Sequence, residues 1–145
     1  YLVGFGEEVL AAGALAPAPG TYHVVFDSAT AAGAGAFTFR YWIDDTRPPS
    51  AQALTTSVRR GASLRVRVAD GGSGVDPTSV IARIDGRRVT ARLRGSVIEI
   101  ATRDVARGKH VLRLQVSDYQ ETRNMENVAR ILPNTRVLRT GVTIR

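Results

Sequence analysis

Aspartates at the ends of predicted strands are the side chains whose type and spacing best fit a chemical role, the binding of a metal ion. Asp70 and Asp76 flank the Gly-rich turn GGSGV, Asp44 and Asp45 directly precede residues 46–49, TRPP, and Asp118 lies at another predicted strand end. Calcium takes about six to eight oxygen ligands from carboxylates and carbonyls, which a Gly-rich loop can supply. A calcium site made from Asp44, Asp45, Asp70 and Asp76 is therefore the sharper hypothesis. The interpretation that the sequence favours is that these aspartates shape turns, a common role of Asp.

Arginines on predicted strands form a second candidate site. The chain has 19 Arg and one Lys against 13 acidic residues, a net charge of +7. A basic surface attracts sulfated glycans and nucleic acids. Nucleic acid is the weaker expectation, because the pattern offers no aromatic platform for stacking bases. The outward arginines predicted to bind are Arg65, Arg67, Arg92, Arg94 and Arg113.

Catalytic chemistry has little support in the sequence. A serine triad needs Ser, His and Asp within hydrogen-bond reach. The two histidines, His23 and His110, lie in no recognisable catalytic motif, and the G-x-S-x-G pattern of a nucleophile elbow is absent. Because the chain has no Cys, it can form neither a disulfide nor a thiolate zinc site. We predict no catalytic residue and no enzymatic activity in this chain.

Alternating apolar and polar residues predict the strands that position these side chains. In residues 64–68 (LRVRV) the apolar residues point inward and the arginines outward, as in an antiparallel sheet with one wet face. Asp85-Gly86 predicts a tight hairpin turn. Similar patterns follow over residues 80–84, 89–94, 98–100, 108–117 and 136–144, and a first strand is expected near residues 53–58. Together they predict an all-β, antiparallel sandwich of about seven strands.

A domain boundary is expected near residue 46. Residues 1–46 carry a net charge of −4 and residues 47–145 one of +11, and Pro48-Pro49 stiffens the joint between them. Residues 21–27 and 37–43 alternate as strands, and residues 2–5 could form a third. We interpret residues 1–46 as the end of a preceding, truncated β domain, since isolated few-stranded sheets are marginal. The alternative is a small sheet docked on the second domain.

Three stretches carry a resemblance to a known class of module. Residues 68–86 (VADGGSGVDPTSVIARIDG), 37–49 (FTFRYWIDDTRPP) and 108–118 (GKHVLRLQVSD) resemble bacterial immunoglobulin-like and fibronectin type III-like β-sandwich modules. The arrangement is similar to accessory regions of large secreted subtilisin-like serine proteases. The resemblance implies an immunoglobulin-like fold and a parent whose catalytic residues lie outside this chain.

The expected function follows from that resemblance. It implies a noncatalytic module of a secreted or cell-surface bacterial protein, which spaces or docks neighbouring domains of the same polypeptide or binds a protein or cell-wall partner. The alternative is a polyanion-binding module that uses the outward arginines. No stretch approaches the roughly 18 apolar residues of a membrane span, so no such span is expected. No cofactor is predicted, and calcium is kept as an open alternative.

Overall fold

A computed structural model describes residues 2–4, 11–13, 18–25, 30–33, 35–36, 38–122 and 134–145. The chain divides into two compact units. The first comprises Tyr1–Tyr41 and Met125–Asn127, and the second, the sandwich unit, comprises Trp42–Asn124 and Val128–Arg145. The boundary predicted after residue 46 stays a prediction, and residues 42–46 belong to the sandwich unit.

The first unit contains a two-stranded antiparallel sheet and a short 3-10 turn. Strands β1 (Leu2–Gly4) and β2 (Ala11–Gly13) pair with Leu2 opposite Gly13, and the turn covers Ala31–Gly33. Strands were predicted over residues 21–27 and 37–43. The prediction is wrong for residues 21–25 and 38–43, which form no strand, and residues 26, 27 and 37 lie outside the described residues. Alternation alone does not make a strand, because the backbone also needs a partner and the apolar side a surface to cover.

The described residues of the sandwich unit form nine strands, because apolar and polar residues alternate along them. The two longest strands, β10 (Gly108–Ser117) and β11 (Thr135–Ile144), have ten residues each. The helical elements described in this unit are a 3-10 turn at Pro77–Ser79 and the single turn α1 (Tyr119–Thr122). In chain order the strands are β3 (Ser50–Ala53), β4 (Ser57–Val58), β5 (Leu64–Ala69), β6 (Ile81–Ile84), β7 (Arg87–Val89), β8 (Ala91–Arg94), β9 (Val97–Ile100), β10 (Gly108–Ser117) and β11 (Thr135–Ile144).

Two sheets make up the sandwich. The five-stranded sheet has the order β4-β11-β10-β6-β7, and the four-stranded sheet has the order β3-β5-β9-β8. Every pair is antiparallel except β4 with β11, which is parallel. The prediction of an all-β sandwich is confirmed, with more strands than the seven expected and with one parallel pair at a sheet edge.

The core lies between the inward faces of the two sheets. Strand β5 shows the strict alternation that predicted it: Leu64, Val66 and Val68 are buried, and the residues between them are exposed. Leu112, Leu114 and Val116 of β10 meet them from the other sheet as members of the same buried cluster. Burying apolar area at about 25 cal/mol per Å² makes this cluster the main stabilising contribution.

The segment after the first hairpin crosses from one sheet to the other. Asp85 and Gly86 both have positive φ values, 49° and 81°, as the tight turn predicted at this dipeptide requires. The alternating pattern of residues 89–93 suggested one strand, but the chain leaves its ladder at Thr90. Strand β7 pairs with β6, whereas β8 pairs with β9 in the other sheet.

None of the helices in the described residues has the length and hydrophobicity that a membrane span requires.

Candidate functional site

Three aspartates converge beyond the ends of β5 and β10. One carboxylate oxygen from each of Asp45, Asp70 and Asp118 lies within 4.8 Å of the others, and we call these residues the aspartate cluster. Asp45 and Asp118 are buried, and Asp70 is half-buried. Like charges this close repel one another, so the cluster requires hydrogen bonds, protons or a cation to hold it.

Asp45 is held by the loop that follows β5. Its Oδ2 accepts from Ser73 N at 2.6 Å, and its Oδ1 accepts from Arg47 N at 3.2 Å. Burial acts to raise the pKa of Asp45, but the bonds from the N–H and hydroxyl of Ser73 and from Arg47 N–H hold it below 3.8. Asp45 is therefore ionised at neutral pH.

Asp70 folds the same loop back on itself. Its Oδ2 accepts from Gly72 N at 3.0 Å and from Gly74 N at 2.7 Å, which is an Asp-mediated turn. Both bonds go to one oxygen, and Oδ1 of Asp70 accepts none from the described residues. The turn-forming role expected of Asp70 is therefore present.

Asp118 is the most buried member of the cluster. It is 0% exposed, its backbone bridges Val75, and its Oδ1 accepts from Glu121 N at 2.8 Å. Burial, together with the charges of Asp45 and Asp70, raises the pKa of Asp118 to about 6, although the Glu121 bond opposes the rise. A carboxyl whose pKa is raised on folding destabilises the fold once it ionises.

Two buried oxygens at this place have no hydrogen-bond donor within the described part of the chain. They are Oδ2 of Asp118 and Oδ1 of Asn134. Asn134 is 0% exposed, its Nδ2 donates to the backbone oxygen of Asp45 at 2.5 Å, and its side chain lies beside the Asp118 carboxyl group. A buried acceptor without a donor costs stability, so each such atom calls for an explanation.

The structure treats the four aspartates predicted as ligands differently. Asp45 and Asp70 belong to the cluster. Asp44 is exposed, with a positive φ of 45° that marks a turn. Asp76 is buried and caps the 3-10 turn at residues 77–79, where its Oδ1 accepts from Thr78 N at 2.7 Å and its Oδ2 from Thr122 Oγ1 at 2.6 Å. Neither Asp44 nor Asp76 is part of the cluster.

Asn134 was missing from the predicted set. Asp118 was recognised as an aspartate at a strand end, directly after β10, but was not among the four predicted ligands. Asn134 precedes β11 and is brought to Asp45, 89 positions away along the chain, by the fold alone. Local pattern carries no information about such a pairing.

The predicted arginines divide between the two sheets. Arg65 and Arg92 both lie opposite Glu99 on the four-stranded sheet, and Arg94 forms an ion pair with Glu99 at 3.5 Å. Arg67, on the same sheet, lies opposite Gln52 and Val97. Glu99 therefore partly neutralises this face.

Arg113 lies instead in a line of arginines across the five-stranded sheet. Arg88, Arg83, Arg113 and Arg139 are directly paired from β7 through β6 and β10 to β11, and we call them the arginine row. None of them forms an ion pair with another described residue. Like charges directly opposite each other in a sheet are destabilising. An anion bound at the arginine row would therefore reduce this repulsion.

No family model, curated protein or solved structure matches this chain.

Proposed function

We propose that this chain is a noncatalytic β-sandwich module of a large secreted or cell-surface bacterial protein, in which it spaces or docks neighbouring domains. The observation that carries the proposal is the anchoring of residues 42–49, which we call the leading segment, to the sandwich. Asp45 bonds to Ser73 and Asn134, and Trp42 Nε1 donates to Gln120 Oε1 at 2.6 Å. Arg136 Nε donates to the Pro49 oxygen at 2.9 Å.

These bonds are what a spacer needs. A peptide joint without side-chain contacts rotates freely about φ and ψ, whereas a joint bonded at several points transmits the orientation of the domain to the chain before it. The two prolines of the segment remove further freedom because their φ angles are fixed. The immunoglobulin-like resemblance supports a parent with tandem modules, such as a secreted subtilisin-like protease.

His110 supports a noncatalytic assignment. Its Nδ1 bonds to Asp85 Oδ2 at 2.6 Å and its Nε2 to the Ala106 oxygen at 2.9 Å, so both ring nitrogens are engaged by acceptors. A general base needs one nitrogen open toward the proton that it removes. No described serine hydroxyl is hydrogen-bonded to this imidazole.

Backbone ¹⁵N relaxation of the full chain tests the proposal. We expect order parameters of about 0.85 in the leading segment, the value of rigid backbone. Asn134→Ala should lower them around Asp45, while Gln52→Ala, which removes an exposed amide on β3, serves as the control. Order parameters below about 0.6 in the unmodified leading segment would contradict the spacer role. Hydrolytic turnover by the purified chain that disappears in His110→Ala or His23→Ala would contradict the noncatalytic one.

A second candidate function is favoured by the arginine row. Four directly paired arginines present planar, bidentate donors in one line, and this geometry suits a linear chain that carries sulfate groups. A sulfated glycan fits better than single-stranded nucleic acid, because β6, β7, β10 and β11 contain no Phe, Tyr or Trp on which bases could stack.

Heparin affinity across a salt series tests this second candidate. We expect binding at low salt that weakens steeply as salt rises and that falls in the triple variant Arg83→Gln, Arg113→Gln, Arg139→Gln. The matched control is Arg65→Gln, Arg67→Gln, Arg92→Gln, which removes the same charge from the other sheet. Equal losses in the two variants would reduce the effect to net charge, and tighter binding of single-stranded DNA would reject a glycan as the partner.

A further inference from the structure

We propose that the aspartate cluster, together with the side-chain oxygen of Asn134, forms a Ca²⁺ site that ties the leading segment to the loop after β5 and to the end of β10. The inference adds a ligand to the proposed function and does not depend on it, since hydrogen bonds alone already anchor the leading segment.

The aspartate cluster concentrates negative charge at one place. Three carboxylates lie with one oxygen each inside 4.8 Å, and none of the three forms an ion pair with a cationic side chain of the described residues. A divalent cation among them would convert mutual repulsion into attraction, and its effect would be strong because two of the three aspartates are buried.

The hydrogen bonds at the cluster go to one particular oxygen of each of two carboxylates. Donors from the loop engage Oδ2 of Asp70, and the Glu121 N–H engages Oδ1 of Asp118. The other oxygen of each carboxylate accepts from no donor in the described part of the chain, and that of Asp118 is buried. Asn134 repeats this pattern, because its Nδ2 donates to the Asp45 carbonyl and its Oδ1 has no donor among the described residues. A cation accounts for several donor-less oxygens at one place, since metal ions bind oxygen lone pairs directly.

The type of ligand selects the cation. The set consists of carboxylate and amide oxygens, with neither His nor Cys, and this excludes the softer metals that prefer nitrogen and sulfur. Mg²⁺ demands near-octahedral geometry and gives up its waters reluctantly. Ca²⁺ accepts irregular sets of about six to eight oxygens, with waters completing the shell.

Each ligand comes from a different part of the chain. Asp45 belongs to the leading segment, Asp70 follows β5, Asp118 follows β10, and Asn134 precedes β11. A bound ion would therefore connect segments of both sheets, and it would bind the native state alone, because the unfolded chain does not hold these residues together.

Thermal unfolding and calorimetry of the full chain test the site. We expect saturable heat on adding CaCl₂, and a midpoint in about 10 mM CaCl₂ that is roughly 3–8 °C higher than in excess chelator. KCl at the same ionic strength should give no comparable shift. Tb³⁺ should also show luminescence sensitised by Trp42, the single tryptophan, which lies beside Tyr119 with ring centroids 6.4 Å apart.

Two isosteric variants localise the effect. Asp118→Asn should raise the midpoint in chelator, because it removes a buried like charge, and should abolish the response to Ca²⁺. Asp70→Asn should also abolish the response. The matched controls are Asp44→Asn, which alters the exposed neighbour of Asp45 at a φ that Asn tolerates, and Asp104→Asn, an exposed aspartate elsewhere. Both controls should respond to Ca²⁺ as the original chain does.

The proposal is overturned if the original chain gives neither heat nor a shift in its midpoint with Ca²⁺. It is also overturned if Asp118→Asn and Asp70→Asn keep the full response. Either result would leave the order parameters of the leading segment as a separate question, so failure of the calcium site and failure of the spacer role are distinguishable.

Discussion

Gly72 shows at the scale of one residue how closely the leading segment approaches the loop after β5. A Cβ added at this position would overlap the carboxylate of Asp45, whereas a Cβ at the adjacent Gly71 would meet nothing. The absence of a side chain at residue 72 is what allows the Asp45 carboxylate to reach Ser73 N. The Gly-Gly pair therefore contains one residue needed for close approach and one that is not.

Gly72→Ala should destabilise the chain by about 1–3 kcal/mol, because either the Asp45 carboxylate moves and leaves Ser73 N without its acceptor or the loop shifts. Gly71→Ala is the matched control and should change stability by less than about 0.5 kcal/mol. Urea unfolding of both variants measures the difference. Equal midpoints for the two variants would show that the close approach does not exist in solution.

His110 and Asp85 form the other notable pair of side chains. Asp85 occupies the turn between β6 and β7, and it accepts from Val111 N at 2.8 Å as well as from the imidazole. The Asp85 bond, supported by the Ala106 carbonyl, raises the pKa of His110 above 6.5. The same imidazole, followed by the Val111 N–H, lowers the pKa of Asp85 below 3.8. Both shifts favour the charged pair.

The pair sets a pH window for its contribution to stability. The raised pKa of His110 contributes to the free energy of unfolding in full below pH 6.5. This contribution is lost as the pH rises through the pKa that His110 has in the folded state. The contribution from the lowered pKa of Asp85 is complete above 3.8 and is lost as pH falls. An NMR titration should give His110 a pKa above 6.5, and the Asp85→Asn substitution should lower the pKa of His110. A His110 that titrates at 6.5 or below in the original chain would contradict the pairing.

Strand β10 is the central structural element of the sandwich unit. It lies between β11 and β6, pairs with β11 over ten residues, and buries Leu112, Leu114 and Val116 against the opposite sheet. It also delivers Asp118 to the aspartate cluster and Arg113 to the arginine row. One strand thus supports the core with its inward side chains and a candidate binding surface with its outward ones.

Leu114→Ala should cost about 2–5 kcal/mol of unfolding free energy, because a fully buried side chain is lost from the middle of the core and leaves a cavity. Val111→Ala, in the same strand, removes a side chain that is 39% exposed and should cost less than about 1 kcal/mol. Denaturant unfolding of the two variants gives both values. Similar losses of unfolding free energy in the two variants would contradict the burial of Leu114 between the two sheets.

Charge is distributed unevenly over the whole molecule. The net charge is +7, and the part of the chain after residue 46 carries +11. The arginine row concentrates part of this charge on one face, with Arg113 flanked by an arginine on each side. Such an arrangement stores repulsion in the folded state, which salt screens over about 10 Å at 0.1 M.

Added salt should therefore stabilise the chain, and Arg113→Gln should raise stability at low salt by about 0.2–1 kcal/mol for each relieved neighbour. The gain should shrink as NaCl rises. Arg67→Gln is the matched control, because Arg67 faces Gln52 and Val97 rather than arginines. Thermal unfolding across a salt series measures both. A gain for Arg113→Gln that does not depend on salt would exclude electrostatic repulsion as its cause.

The sequence by itself determined the features that depend on neighbours along the chain. Alternation in β5 and β10 predicted which residues are buried, and Asp85-Gly86 predicted its turn, because period-two burial and positive φ are local properties. Strong alternation failed where the described residues lack a partner strand, as in residues 38–43, and where the chain crosses between sheets, as at Thr90. The choice of Asp45 and Asp70 as candidate ligands also came from local pattern.

Only the tertiary structure decided which side chains meet. It joined Asp118 and Asn134 to Asp45 and Asp70, assigned Asp76 to capping a turn, left Asp44 exposed, and sent β7 and β8 to different sheets. It also aligned Arg113 with arginines from three other strands. These outcomes depend on strand register and on pairings between residues far apart in the chain, which no local pattern encodes.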